Sequence, residues 1–181
     1  WATAVGEDGN QAAGIVRRIK ELEDGKENAG HQLVDHLATS GVVARQRAGA
    51  RIALDLGLED AALDLSRRVA SDLEGRTREI FLSEVARRAR EGGLSRAASW
   101  AYEQLGRGAS TPSERRQFDQ RIIDVALAAG DTTVALEAQR RVANSFSLES
   151  IDRRRATAQV IRLESARADP SRLTQLLQTF R

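Results

Sequence analysis

Few residues in this chain have the types and spacing that catalysis or metal binding requires. The two histidines, His31 and His36, lie five positions apart, so on a helix they do not share a face as zinc ligands four positions apart would. The chain has no cysteine, which excludes thiol nucleophiles and thiolate metal sites. Segment 106–110 contains two glycines and a serine but lacks the lysine and spacing of a phosphate-binding loop. We therefore expect a protein that is not an enzyme, with no metal and no cofactor.

Arginine is the residue type that could bind a partner. Lysine and arginine total 28 against 26 acidic residues, and Lys20 and Lys26 are the only lysines. Arginines recur in pairs and in one triplet: Arg67-Arg68, Arg87-Arg88, Arg115-Arg116, Arg140-Arg141 and Arg153-Arg154-Arg155. Rows of guanidinium groups could bind nucleic acid or an acidic peptide. The same arginines could instead pair with carboxylates on a solvated helix face. A net charge of only +2 and 4% aromatic residues favour the solvated face and disfavour nucleic acid.

A motif that returns along the chain must position these side chains. A glycine is followed five residues later by a small residue and then by an apolar helical run. The motif begins at Gly25, Gly57, Gly93 and Gly130, and in looser form at Ala168. It returns every ~32 to 38 residues, a period typical of helix-pair repeats. Glycine accepts the positive φ that ends the first helix, and the small residue lets the second helix cross close to it.

The apolar periodicity predicts ten helices. Their ranges are 11–24, 26–39, 43–56, 58–74, 76–91, 94–106, 112–129, 131–144, 150–167 and 169–181. Thr111-Pro112-Ser113-Glu114 is a capping box with proline in the first turn, and Asp169-Pro170 repeats its first half. We predict an all-α, right-handed α-solenoid of about five antiparallel helix pairs. It forms a single domain over 11–181, after a flexible lead over 1–10.

Two features that the sequence lacks bear on membrane insertion and on processing of the chain. There is no run of 18 apolar residues, so we expect no transmembrane segment in the sequence. There is also no methionine, not even at position 1. We therefore expect a processed product or a piece of a longer protein, which a signal peptide or membrane anchor could have preceded.

The glycine and small-residue positions resemble the tetratricopeptide repeat family. The matching sets are Ala50, Gly57, Ala62 and Val69; Ala86, Gly93, Ala98 and Leu105; and Ile123, Gly130, Ala135 and Val142. The resemblance covers 11–181 and is strongest over 44–146. The family's early tryptophan and tyrosine are missing, and Glu74, Ser110 and Ser147 replace its closing proline. The resemblance implies a groove lined by the first helix of each pair, which binds a protein or peptide.

A second resemblance concerns the end of the helix pair that finishes with the predicted helix 131–144. Phe146 and Ser150 are similar to the aromatic and serine that follow the second helix in bacterial cell-envelope tetratricopeptide proteins, although Ser147 stands where those proteins have proline. This resemblance favours a periplasmic or extracytoplasmic location over the cytoplasm, while the compartment itself stays unassigned.

We interpret the chain as a non-enzymatic scaffold for a protein or peptide partner. The groove would draw on first-helix residues: Arg47, Arg51, Glu84, Arg87, Arg88, Asp119, Asp124 and Arg162. Trp100 either anchors a partner, because the equivalent positions carry Asp64 and Glu137, or fills a gap in the core. One alternative is a structural subunit that associates with copies of itself through its ends, where Leu177 and Phe180 lie on the last helix. Another is an anion- or nucleic-acid-binding module that uses the arginine rows.

Overall fold

The computed structural model describes Gly14 and residues 29–167, and all the regular structure of this part is α-helical. The helices are α1 (Ala29–Ala38), α2 (Val43–Asp55), α3 (Glu59–Ser71), α4 (Gly75–Glu91), α5 (Ser95–Gly108), α6 (Pro112–Ala128), α7 (Thr132–Asn144) and α8 (Ile151–Arg167). The predicted all-α fold of helix pairs is confirmed. The predicted lead over 1–10 and the predicted helices over 11–24 and 169–181 lie outside the described residues.

Glycine ends the first helix in each of the three helix pairs that the structure describes in full, as the sequence predicts. Gly57, Gly93 and Gly130 have φ of 78°, 73° and 74°, values that favour glycine over residues with a Cβ. At the first of these turns, Leu58 N donates to Ala53 O at 2.9 Å and Gly57 N donates to Leu54 O at 3.2 Å. These two bonds form a Schellman motif, which satisfies carbonyl groups at the helix end and reverses the chain.

Small residues lie where the second helix crosses the first. Ala62, Ala98 and Ala135, each five positions after a turn glycine, are fully buried. A side chain without further carbon atoms lets the two backbones approach closely, so the turn and the crossing are set by one local motif.

The start of α6 shows a second local signal. Thr111 Oγ1 accepts a hydrogen bond from Glu114 N at 3.2 Å, and a carboxylate oxygen of Glu114 accepts one from Thr111 N at 3.2 Å. The predicted capping box is therefore present, with Pro112 at the first helical position.

Contacts divide the chain into two compact units, Trp1–Ala101 and Tyr102–Arg181. In the first unit, α2 packs against α1 and α3, and α4 packs against both α2 and α3. Its interior includes the largest buried side chains: Leu37, Ile52, Leu65, Val69, Phe81 and Val85. In the second unit, α7 packs against α6 and α8. The single domain over 11–181 stays a prediction.

No helix in the described part of the chain has the length and hydropathy needed to cross a bilayer.

Candidate partner-binding face

Helices α2 and α4, each the first helix of its pair, share a face that carries most of the predicted groove arginines. Arg47, Arg51 and Asp55 follow one another at four-residue intervals on α2, which places them on one side of that helix. Glu84 and Arg88 are spaced in the same way on α4. We call these five residues the Glu84 cluster and the surface that carries them the α2–α4 face.

Glu84 is the centre of this cluster. Arg51 Nη2 donates to Glu84 Oε2 at 2.8 Å, and Arg88 Nε donates to Glu84 Oε1 at 3.2 Å. Arg47 Nη2 lies 3.6 Å from Glu84 Oε2. One carboxylate therefore contacts guanidinium groups from two helices and joins α2 to α4 by charge as well as by packing.

Arg88 extends the cluster to a second carboxylate. Its Nη1 donates to both oxygens of Asp55, each at 2.7 Å. Burial would lower the pKa of Arg88, but the hydrogen bond and charge of Asp55, together with Glu84, outweigh this effect and raise the pKa above its ordinary value. The guanidinium group is therefore a permanent cation that bridges the two helices.

Opposing effects also act on Glu84. Burial would raise the pKa of this carboxyl, but the hydrogen bond from Arg51 and the charges of Arg51, Arg88 and Arg47 outweigh it. The pKa of Glu84 is therefore lowered from its ordinary value, and the carboxylate stays ionised at neutral pH.

The three arginines are ordered but not sealed from solvent. The exposed fractions of the Arg47, Arg51 and Arg88 side chains are 30%, 26% and 25%. The guanidinium carbon of Arg47 lies 5.6 Å from the ring centroid of Phe81, which is a buried core residue. With three guanidinium groups and two carboxylates, the cluster presents a net positive surface.

The structure unites only part of the predicted site. Arg47, Arg51 and Arg88 meet at Glu84, whereas Arg87 is exposed and pairs with Glu91 of its own helix at 2.6 Å. Sequence reasoning missed Asp55, although its four-residue spacing from Arg51 was a signal that could have found it.

The remaining predicted residues lie elsewhere. Trp100 is half-buried on α5. In the second unit, Asp124 is exposed on α6 and accepts a hydrogen bond from Gln120 Nε2 at 3.1 Å. Asp119, which we expected in the groove, is instead buried and accepts a hydrogen bond from Arg141 Nε at 2.7 Å. Leu177 and Phe180 lie outside the described residues.

The pairs Arg67-Arg68 and Arg140-Arg141, which lie ten and eleven residues after a turn glycine, have different surroundings. Arg67 and Arg68 are exposed on α3. In the second unit, Arg140 pairs with Glu164 of α8 and Arg141 pairs with Asp119 of α6. The carboxylates that neutralise the second pair thus come from neighbouring helices, not from α7 itself.

Within residues 29–167, no group of three or more histidine or acidic side chains could hold a metal ion.

In the comparison with known proteins, the chain is similar to solved structures but to no family model or curated protein. The chain is similar to a crystal structure of the nearly identical TPR-like repeats of a kinesin light chain candidate from Podosopora anserina. The identity is 19%, the match covers 93% of this chain and 91% of that one, and the TM-score is 0.42. A single-residue variant of the same protein gives 19% identity, coverage of 94% and 91%, and a TM-score of 0.40. Both of these structures consist of TPR-like repeats.

Proposed function

We propose that this chain is a non-enzymatic scaffold that binds a protein or peptide partner on the α2–α4 face. The observation that supports the proposal is the arrangement of Arg47, Arg51 and Arg88 around Glu84, which holds three guanidinium groups in fixed positions while part of each stays exposed.

Fixed guanidinium groups are suited to recognition for two reasons. A side chain that is already ordered loses less conformational entropy when a partner binds. Each guanidinium group also has five N–H donors, and the cluster uses only some of them: Arg51, for example, donates one hydrogen bond to Glu84. Arg47 Nε and Arg51 Nε are buried, so a partner that brings carboxylate or carbonyl oxygens to this face would bind the solvent-exposed N–H groups of the guanidinium ends.

Site-specific photo-crosslinking tests this proposal. A benzophenone side chain would replace Arg47 on the α2–α4 face. In the matched control it would replace Arg67, which is also an arginine but lies on α3, the second helix of its pair. Each labelled chain would be irradiated in extract from the native source. We expect a discrete crosslinked product from position 47 that unlabelled chain competes away, and none from position 67.

Three outcomes would contradict the proposal. Equal products from both positions would mean that the face has no specificity. The absence of any product from position 47 would mean that no partner binds there. A product with twice the mass of the chain would favour the self-association alternative, which rests on Leu177 and Phe180.

We further propose a bacterial extracytoplasmic location, which the resemblance at Phe146 and Ser150 supports. Ser150 has a defined role in that segment, because its Oγ accepts a hydrogen bond from Arg153 N at 3.1 Å and so caps the start of α8. Fractionation of the native cells, with detection of the chain in each fraction, tests the location; recovery in the cytoplasmic fraction would overturn it.

A further inference from the structure

The first turn of α5 is capped by a side chain from another helix. Ser95 begins α5, and Leu94 before it is a buried apolar residue whose side chain has no hydrogen-bond acceptor. Glu59, at the start of α3, supplies one: its Oε1 accepts hydrogen bonds from Arg96 N at 2.8 Å and Ala97 N at 3.2 Å. A helix leaves such first-turn donors without partners of its own, and a carboxylate there also faces the positive end of the helix dipole.

The same carboxylate also binds the side chain of Arg96. Arg96 Nε donates to Glu59 Oε2 at 3.0 Å, and Arg96 Nη2 donates to Asp60 Oδ1 at 2.8 Å. The Glu59 side chain is 20% exposed, whereas that of Asp60 is 86% exposed. Glu59 therefore holds both the backbone and the side chain of α5, while Asp60 contacts only an exposed guanidinium group. We call Glu59, Arg96 and Ala97 the Glu59 clamp.

The corresponding helix of the second unit, α7, is capped by its own residue. Asp131, directly after the turn glycine, accepts hydrogen bonds from Thr133 N and Val134 N, each at 3.1 Å. These amides lie three and four residues after the turn glycine, as do the two amides that Glu59 caps in α5. The cap of α7 therefore depends on one local residue, whereas the cap of α5 depends on contact with the preceding helix pair.

The Glu59 clamp and the Glu84 cluster join the same two helix pairs at different helices. The pairs are α2 with α3 and α4 with α5. The Glu84 cluster connects the first helices, α2 and α4, through Arg51 and Arg88. The Glu59 clamp connects the second helices, α3 and α5. The two sets of side chains have no residue in common, so breaking the contacts of one set leaves those of the other in place.

We propose that the Glu59 clamp is a conformational device that opens and closes independently of the Glu84 cluster. When it is closed, the first turn of α5 is capped and lies against the start of α3. When it opens, the amides of Arg96 and Ala97 face water and the start of α5 separates from α3, while Glu84 still holds α4 to α2. Because the cap comes from another helix pair, this opening requires less free energy than unfolding of the core. The inference does not rest on the proposed binding at the α2–α4 face.

Amide hydrogen exchange of the whole chain, followed residue by residue by NMR, tests this inference. Glu59→Ala removes the acceptor of the two amides. The matched control Asp60→Ala removes the same charge from the adjacent position but leaves that acceptor in place. We expect Glu59→Ala to speed exchange at Arg96 and Ala97 about 10-fold, the size of effect that loss of an N-cap produces. Asp60→Ala should change these rates by less than about 2-fold. Glu59→Gln, which keeps one acceptor oxygen, should give an intermediate increase.

Exchange in the core separates local opening from a general loss of stability. The amide of Val85, inside α4, should keep its wild-type exchange rate in Glu59→Ala and in Glu59→Gln. Three results would overturn the inference: unchanged exchange at the two α5 amides in both Glu59 variants, an equal increase from Asp60→Ala, or an equal increase at Val85. The crosslinking at Arg47 tests the α2–α4 face independently, so failure of one proposal is distinguishable from failure of the other.

Discussion

Replacement of Glu84 by glutamine should destabilise the first unit far more than replacement of a comparable exposed carboxylate. Glu84 is 19% exposed and has three arginines around it, the nearest at 2.8 Å. Without the negative charge, Arg47, Arg51 and Arg88 repel one another, and only Asp55 remains to neutralise them. The control is Glu91→Gln, because Glu91 is 54% exposed and pairs with Arg87 alone, one turn away on the same helix.

The contacts of Glu84 set the expected size of the effect. A hydrogen bond to a charged group such as that from Arg51 contributes about 1.5 to 3 kcal/mol when buried. Partial exposure of the cluster reduces this contribution through solvent screening. Glutamine retains one acceptor oxygen, which recovers part of the loss. We therefore expect Glu84→Gln to lower the free energy of unfolding by about 2 kcal/mol. Glu91→Gln should lower it by about 0.3 to 0.5 kcal/mol, the usual contribution of an exposed helical ion pair.

The difference in stability between wild type and Glu84→Gln should decrease as the pH falls. Because the pKa of Glu84 is lowered in the folded chain, its ionised form stabilises the fold above the ordinary value of 4.5, and this stabilisation is lost as the pH falls through the lowered pKa. Urea unfolding, followed by circular dichroism at neutral pH and in acid, measures the effect. The difference between wild type and Glu84→Gln should be complete at neutral pH and shrink in acid. Equal effects of the two substitutions, or a difference that stays constant in acid, would refute the role of this cluster.

Three further predictions use the same unfolding assay. Gly130→Ala should destabilise the chain by about 1 to 2 kcal/mol, because the positive φ of Gly130 disfavours a Cβ. The control Gly108→Ala, where an added Cβ meets no atom, should be neutral or stabilising. Equal losses of stability from the two substitutions would contradict the turn argument. Ser66→Ala should stabilise the chain by about 1 kcal/mol, because the fully buried hydroxyl of Ser66 has no hydrogen-bond partner among the described residues. A loss of stability would reveal a partner for that hydroxyl. Ala135→Leu should lower the free energy of unfolding by at least ~2 kcal/mol, because it overpacks a fully buried position. Ala128→Leu, at an exposed site, should change the free energy of unfolding by less than about 0.5 kcal/mol. Similar losses at both sites would argue against close crossing of the helices.

Local signals in the sequence determined the helix pairs. The positive φ at Gly57 and the capping box at Thr111 depend on residues within about one helical turn, so they are visible in the order of the side chains. The buried alanines, such as Ala98, follow from the same motif, because the second helix begins directly after the turn. The predicted and observed helices agree closely between residues 43 and 167 for this reason.

Tertiary structure alone decided which arginines meet. Arg87 and Arg88 are neighbours in the sequence, but they point in directions about 100° apart on a helix. Packing of α4 on α2 turns Arg88 towards Asp55 and leaves Arg87 exposed beside Glu91. The rotation of one helix against another depends on how buried side chains such as Val85 fit together, and no local pattern specifies it.

The same limit applies to Asp119 and Phe146. The sequence predicts Asp119 in a groove, yet the packing of α6 on α7 buries it against Arg141. Phe146 resembles the aromatic residue of a family segment, and only the fold brings Arg116 from another helix over its ring. The sequence therefore determined the helices, their turns and their close crossings, because these depend on neighbouring residues. The charge clusters depend on contacts between residues from different helices, and those contacts exist only once the helices have packed.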